Sequence, residues 1–96
     1  MIVTIFRSRL RPEHAEDYAK VAAAMSAAAK TMPGYISHKG FTAEDGERMT
    51  IVEFESIEPH RAWAEDEGHR AAQQLGRERF YSEFSIQVCE VLRSSK

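Results

Sequence analysis

Three ionisable residues are the candidates for proton-transfer chemistry in this 96-residue sequence: His69, Glu53 and His38. His69 follows Gly68, at a point where a helical pattern is interrupted. An imidazole has a pKa of about 6.5 and exchanges protons readily near neutral pH, so we expect His69 to act as a general base. The alternative is that His69 belongs to the N-cap region of a helix and bonds to backbone.

Glu53 lies in the middle of a strand, on the same alternating face as Met49 and Ile51. A carboxylate in that setting needs a partner or has a raised pKa. His38 on the paired strand, or Arg7 on the first strand, could be that partner. The pair would then support the base or form a salt bridge at a dimer interface; otherwise Glu53 faces solvent. Periodicity does not decide which layer His38 faces.

Four aromatic residues are candidates for contacts with a planar substrate: Trp63, Phe54, Phe6 and Tyr81. Trp63 could stack on the substrate or anchor a short helix to the sheet. Tyr81 could donate a hydrogen bond to the substrate or close one end of a barrel. We expect His60 and Arg61, on the same short helix as Trp63, to face solvent.

Composition excludes several classes of partner. The chain has 13 Lys and Arg, 15 Asp and Glu, a formal charge of -2 and one cysteine, without a strongly basic segment, so nucleic acid is not an expected partner. Arg7 and Arg9 interrupt the apolar N-terminus and no stretch is long enough to span a membrane, so we expect a cytoplasmic protein without membrane contact. We recognise no metal or phosphate motif and expect no cofactor.

Hydrophobic periodicity predicts the elements that position these residues. Alternation predicts four strands, at Ile2–Leu10, Tyr35–Thr42, Arg48–Glu55 and Phe84–Leu92. Apolar residues at three-and-four spacing predict one helix between Pro12 and Pro33, and a second that Gly68 breaks into Ile57–Glu65 and His69–Phe80. The order is that of an α+β, ferredoxin-like βαββαβ domain, a single domain over residues 1–96 that is ordered from about 2 to 93.

Both faces of the predicted four-stranded antiparallel sheet carry apolar residues, although two helices can cover only one of them. Phe6, Phe54 or Ile51 would therefore lie on an exposed apolar patch in a monomer. A chain of this length also has little core to spare for an enclosed pocket. We therefore expect a homodimer in which two sheets pack face to face and form a dimeric α+β barrel.

Nearly the whole chain resembles the antibiotic biosynthesis monooxygenase family of the dimeric α+β barrel superfamily. The residues that carry the resemblance are Met32-Pro33-Gly34-Tyr35, the strand Ile51-Val52-Glu53-Phe54-Glu55-Ser56, and Trp63 followed by His69. The resemblance implies a homodimer with a pocket between sheet and helices. It also implies oxygen chemistry on an aromatic substrate or haem, without a dedicated prosthetic group.

Two active-site patterns of the family are incomplete here. The haem-degrading branch uses an asparagine on the first strand, a tryptophan that Trp63 matches, and an iron-ligating histidine ten residues later, where this chain has Gln73. The branch that oxidises polycyclic phenols uses asparagine, tryptophan and tyrosine at places that look like Thr50, Phe54 and His60. The chain contains no asparagine at all.

The sequence thus leads to one main hypothesis with alternatives. We expect a cofactor-independent monooxygenase-like enzyme acting on a small aromatic or enolisable substrate, in which His69, supported by Glu53 or His38, removes a proton and the resulting anion reduces oxygen. The alternatives are a non-catalytic dimeric barrel that binds a small hydrophobic ligand, a haem-degrading monooxygenase, and an isomerase of small lactones.

Overall fold

Four strands form one antiparallel sheet in the computed structural model, which describes residues 1–95. They are β1 (Ile2–Leu10), β2 (Tyr35–Thr42), β3 (Arg48–Phe54) and β4 (Tyr81–Glu90), in the spatial order β2-β3-β1-β4. Each neighbouring pair is antiparallel. The described part of the chain also contains three α-helices: α1 (Ala15–Ala29), α2 (Ile57–Ala64) and α3 (Glu67–Leu75). The predicted α+β, ferredoxin-like fold is confirmed.

The second helix breaks two residues earlier than predicted. The break lies at Glu65 and Asp66, and Gly68 is inside the first turn of α3. Asp66 is the N-cap residue, because its carboxylate accepts a hydrogen bond of 3.1 Å from the backbone N–H of His69. Capping by an acidic side chain, rather than the flexibility of glycine, therefore sets the start of α3.

Two other boundaries differ from the predicted ones. Helix α1 ends at Ala29, and the N–H groups of Thr31 and Met32 bond to carbonyls of its last turn. Leu75 ends α3 and a π-turn (Gly76–Phe80) follows, so that β4 begins at Tyr81 instead of Phe84 and ends at Glu90.

One face of the sheet carries the helices. Polar contacts join it to them: Thr4 of β1 bonds to His60 of α2, and His38 of β2 bonds to Ser26 of α1. Residues that pair with Thr4 across the sheet, or lie two positions from it or from its partners along a strand, share this face. They include Phe6, Thr50, Val52, Phe54, Ile86 and Val88. We call it the helix face.

The opposite face of the sheet, which we call the free face, holds no fully buried residue among the described strands. Val3, Ile5, Met49 and Ile51 are half-buried there. Ile51 lies on this face as expected, although it is half-buried rather than exposed. The expectation was wrong for Phe6 and Phe54, which register places on the helix face. Phe54 is 0% exposed.

Candidate functional site

A cavity of about 480 Å³ lies between the helix face and the three helices. Its wall is mostly apolar, with alanines of α1 and α3 keeping the helices thin above the sheet. It opens along β4, where Phe84, Ile86 and Val88 are 43%, 41% and 53% exposed although they line it. A cavity of this size suits a small organic molecule.

The aromatic and imidazole rings of α2 and α3 form a cluster at one end of the cavity. The Trp63 ring lies 4.2 Å from that of His69 and 5.6 Å from that of His60, measured between centroids. All three residues line the cavity. We call this the histidine end. The sequence predicted a role for Trp63 and His69, and the structure places them in contact on one wall.

His69 combines burial with an unused acceptor. Its Nδ1 atom is buried and has no hydrogen-bond partner within residues 1–95. Burial is the main cause that lowers the pKa of His69, while the Ala64 carbonyl and the Asp66 carboxylate act in the opposite direction. Burial therefore favours the neutral imidazole, which is the form that can accept a proton. The backbone N–H of His69 donates a hydrogen bond to the Asp66 cap, so the main chain of His69 belongs to the N-terminal turn of α3, as the alternative proposed. Its side chain lines the cavity.

His60 is a site residue that the sequence analysis missed. It was expected to face solvent, but it is only 6% exposed, and its Nε2 lies 2.6 Å from the Thr4 hydroxyl. Burial lowers the pKa of His60. A signal was present in the spacing: His60, Trp63 and Ala64 share one helical face, which makes His60 a neighbour of Trp63. Arg61 is exposed and bonds to Glu58, as expected of the outer face.

His38 occupies a different part of the cavity wall, on β2. Its Nε2 lies 2.5 Å from the hydroxyl of Ser26 and its Nδ1 lies 2.6 Å from that of Tyr35. Both ring nitrogens therefore have partners, whereas Nδ1 of His69 has none within residues 1–95. Ser26 and His38 line the cavity, so this chain of hydroxyl, imidazole and phenol is a polar site within an apolar wall.

Glu53 lies on the free face, away from the cavity. Its carboxylate accepts a hydrogen bond of 2.6 Å from Ser37. Neither expected partner is in place, because His38 faces the helices and Arg7 pairs with Glu47 at 2.7 Å. The predicted alternation was right, because Glu53 shares the free face with Ile51. His38 pairs with Val52 on the helix face and therefore cannot reach Glu53.

Tyr81 and Phe6 line the cavity near its other end, with ring centroids 5.2 Å apart. Burial raises the pKa of Tyr81 to about 12, so the phenol keeps its proton and remains a hydrogen-bond donor. The ring passes so close to the backbone of Gly76 that a Cβ there would lie 2.4 Å from a ring carbon. Phe54 does not line the cavity: it packs beneath Trp63, at 5.2 Å between ring centroids, and supports the wall from behind.

Within residues 1–95 no three His, Cys, Asp or Glu side chains cluster in a way that could hold a metal ion. Gln73, at the place of the iron-ligating histidine, lines the cavity. In haem proteins the iron is held by His, Cys, Met or Tyr, and a glutamine amide is not among these ligands. In the described part of the chain no helix is long and apolar enough to cross a membrane.

The profile of the antibiotic biosynthesis monooxygenase family matches residues 1–75. This chain belongs to the antibiotic biosynthesis monooxygenase family. The chain is also similar in sequence to the uncharacterized protein YqjZ of Bacillus subtilis strain 168. The two are 26% identical over 86 residues, which cover 90% of this chain and 75% of YqjZ.

Solved structures share the family fold at low identity. Rv0793 from Mycobacterium tuberculosis superposes with a TM-score of 0.85 at 16% identity, over 99% of this chain and 98% of that one. SnoaB from Streptomyces nogalater, a cofactor-independent oxygenase, superposes with a TM-score of 0.81 at 15% identity, over 97% of this chain and 94% of its own. At such identities the likeness establishes the fold of this antibiotic biosynthesis monooxygenase family member, and its chemistry has to be argued from the cavity.

Proposed function

We propose that the protein is a cofactor-independent, monooxygenase-like enzyme that deprotonates a small aromatic or enolisable substrate in this cavity. The observation that carries the proposal is the buried Nδ1 of His69, which has no hydrogen-bond partner within residues 1–95 and belongs to the cavity wall. A buried polar atom without a partner is costly, and such atoms in native structures call for an explanation. A substrate hydroxyl or acidic C–H would supply the missing donor.

In the proposed reaction His69 accepts a proton from the substrate, and the resulting carbanion or phenolate passes an electron to O₂. Recombination forms a C–O bond as a peroxide, which loses water to leave a carbonyl; overall, R₂CH₂ and O₂ give R₂C=O and H₂O. The imidazolium of His69 returns the proton to the departing hydroxide. The apolar wall strengthens these electrostatic effects by excluding water.

The other candidate residues receive supporting roles. Trp63 would stack on the planar substrate beside His69, and Tyr81 would donate a hydrogen bond. His38 has both nitrogens engaged, so we assign it a positioning role through the Ser26 hydroxyl. Glu53 is too far round the sheet to assist His69, and we assign it to a subunit interface.

Turnover of His69→Ala tests the proposal. With a panel of hydroquinones and anthrone-type substrates in an oxygen electrode, kcat should fall by about 10²- to 10⁴-fold, the usual contribution of a general base. His14→Ala, a histidine outside the cavity wall, should leave kcat unchanged. Unaltered oxygen uptake by His69→Ala would remove the assignment. Binding without any oxygen uptake would favour a carrier, and substrate isomerisation without uptake would favour an isomerase.

We also propose that the protein is a homodimer whose two free faces pack together as a barrel. The support is the row of half-buried apolar residues on that face, joined by Phe41, which is 43% exposed. Light scattering at micromolar concentration should give twice the chain mass. Ile51→Lys should give monomers, whereas Ile57→Lys, at an isoleucine that is 44% exposed on α2, should not. A monomeric wild type would contradict the proposal.

A further inference from the structure

The cavity has a second chemical character at the end opposite to the histidines. Arg48 of β3 and Arg77 of the π-turn both line it there, whereas no Asp or Glu is among the described residues of its wall. The net charge of the whole chain is -2, so this local excess of positive charge runs against the balance of the molecule. We call this part of the cavity the arginine end.

Aromatic rings hold the two guanidinium groups in place. The Arg48 guanidinium carbon lies 5.6 Å from the ring centroid of Tyr18, and that of Arg77 lies 5.7 Å from the ring of Phe84. Tyr81 stands between these two rings, 6.1 Å from each. Cation–π contacts orient a guanidinium without neutralising its charge.

Neither guanidinium forms an ion pair within residues 1–95. Five ion pairs join side chains of residues 1–95, and they engage Arg7, Arg9, Arg61 and Arg79. Arg48 and Arg77 take part in none of them. Arg48 is also half-buried, although charged side chains are seldom buried without a partner. The donors of both groups are therefore available to an anion that enters the cavity.

The separation between the two ends sets the length of the ligand. Thr4, which bonds to His60, and Ser8, which pairs with Arg48 and Phe84, are four residues apart on β1. At about 3.4 Å per residue this places the two ends roughly 14 Å apart. A single benzene ring is too short to reach both, whereas fused or linked rings are long enough.

We propose that Arg48 and Arg77 form a binding site at the arginine end for an anionic group of the natural ligand, a carboxylate, while the reacting part of the ligand lies at the histidine end. A planar guanidinium matches a carboxylate in shape and charge and binds it with paired hydrogen bonds. The inference rests on the proposed function for what happens at His69. Its own content is the anionic group and the residues that bind it.

Two fluorescent probes with the same ring skeleton test the charge preference. 8-Anilinonaphthalene-1-sulfonate carries an anionic group, and N-phenyl-1-naphthylamine lacks it. In wild-type protein the anionic probe should bind more tightly, and its Kd should rise with salt. Arg48→Gln and Arg77→Gln should each raise that Kd about tenfold, while the Kd of the neutral probe changes less than about twofold.

Matched variants separate the proposed site from other effects. Arg70→Gln removes the same charge from the exposed side of α3, away from the cavity wall, and should leave both Kd values unchanged. Arg48→Lys keeps the positive charge and should restore part of the affinity. Retained binding of the neutral probe reports that the cavity is intact, and Arg77→Gln, at an exposed residue, provides the test if Arg48 variants fail to fold.

The proposal is overturned if wild-type protein does not prefer the anionic probe, if both arginine variants weaken the two probes equally, or if Arg70→Gln has the same effect. An anionic probe that binds instead to the free face of the sheet would be insensitive to Arg48 and Arg77, which is also a refutation. Because the probe assay involves no turnover, its outcome is independent of the kinetic test of His69→Ala. Full activity of His69→Ala would remove the proposed function and would leave the proposed anion site standing.

Discussion

The hydrogen bond between Thr4 and His60 fixes α2 to the sheet, and its removal should be measurable as lost stability. Thr4→Val keeps the shape of a side chain that is 6% exposed but replaces the hydroxyl, which lies 2.6 Å from His60 Nε2, with a methyl group. His60 is itself only 6% exposed, so solvent can do little to replace the lost partner. A buried polar atom that loses its partner costs about 1–3 kcal/mol. We expect the free energy of unfolding to fall by about 2 kcal/mol.

The control is Thr50→Val, the same substitution on the same face of the neighbouring strand. Thr50 also lines the cavity, and its hydroxyl has no hydrogen bond within residues 1–95, so its replacement should change stability by less than about 0.5 kcal/mol. Both variants gain the same strand preference of valine, so their difference isolates the hydrogen bond.

Urea unfolding followed by circular dichroism, at one fixed protein concentration, measures this difference. With a slope of about 1 to 1.5 kcal/mol/M for a chain of this size, the midpoint for Thr4→Val should drop by about 1 to 2 M. In a His60→Ala background the same substitution should cost almost nothing. Equal stability of Thr4→Val and Thr50→Val would refute the assignment of this hydrogen bond.

Two further predictions concern pH and packing. Burial lowers the folded-state pKa of His69 below its unfolded value of 6.5, so the unfolded chain binds the proton first as pH falls. The contribution of His69 to stability should therefore be constant above pH 6.5 and decline below it. Urea midpoints between pH 7.5 and 5.5 should decline less for His69→Gln than for wild type, and an equal decline would contradict the pKa direction. Gly76→Ala should lower the free energy of unfolding by about 1–3 kcal/mol, because its Cβ would lie 2.4 Å from the Tyr81 ring. Gly40→Ala should be tolerated, since the atom nearest to its Cβ would be an Arg48 nitrogen 3.7 Å away. Calorimetry of both variants checks this, and equal melting temperatures would argue against the close approach at Gly76.

The sequence analysis was right about the elements and less so about their orientation. The sequence predicted β1 and β2 with the bounds that the structure has, because β-branched and aromatic residues are frequent in both segments. It could not assign the faces, since β1 and β3 carry apolar residues at both odd and even positions. Phe54 was therefore expected on an exposed patch and is instead buried under Trp63.

The candidate site shows the same division. His69 and Trp63 could be singled out because each is an unusual residue near a helix break. His60 could not be separated from Arg61 by type or position alone, and an eight-residue helix is too short for a reliable periodic pattern. Arg48 and Arg77 were not singled out as binding residues, because a surface cation and a pocket cation look the same in a sequence.

The sequence by itself determined the order of strands and helices, the family, and which residue types were available for chemistry. These properties are local, since periodicity, turn residues and motifs act over a few neighbouring positions. Only the tertiary structure decided that His60, Trp63 and His69 form one wall, that Glu53 lies on the other side of the sheet, and that two arginines face the same cavity. Those arrangements depend on strand register and on the way helices pack, which join residues far apart in the chain, such as Thr4 and His60, 56 positions apart.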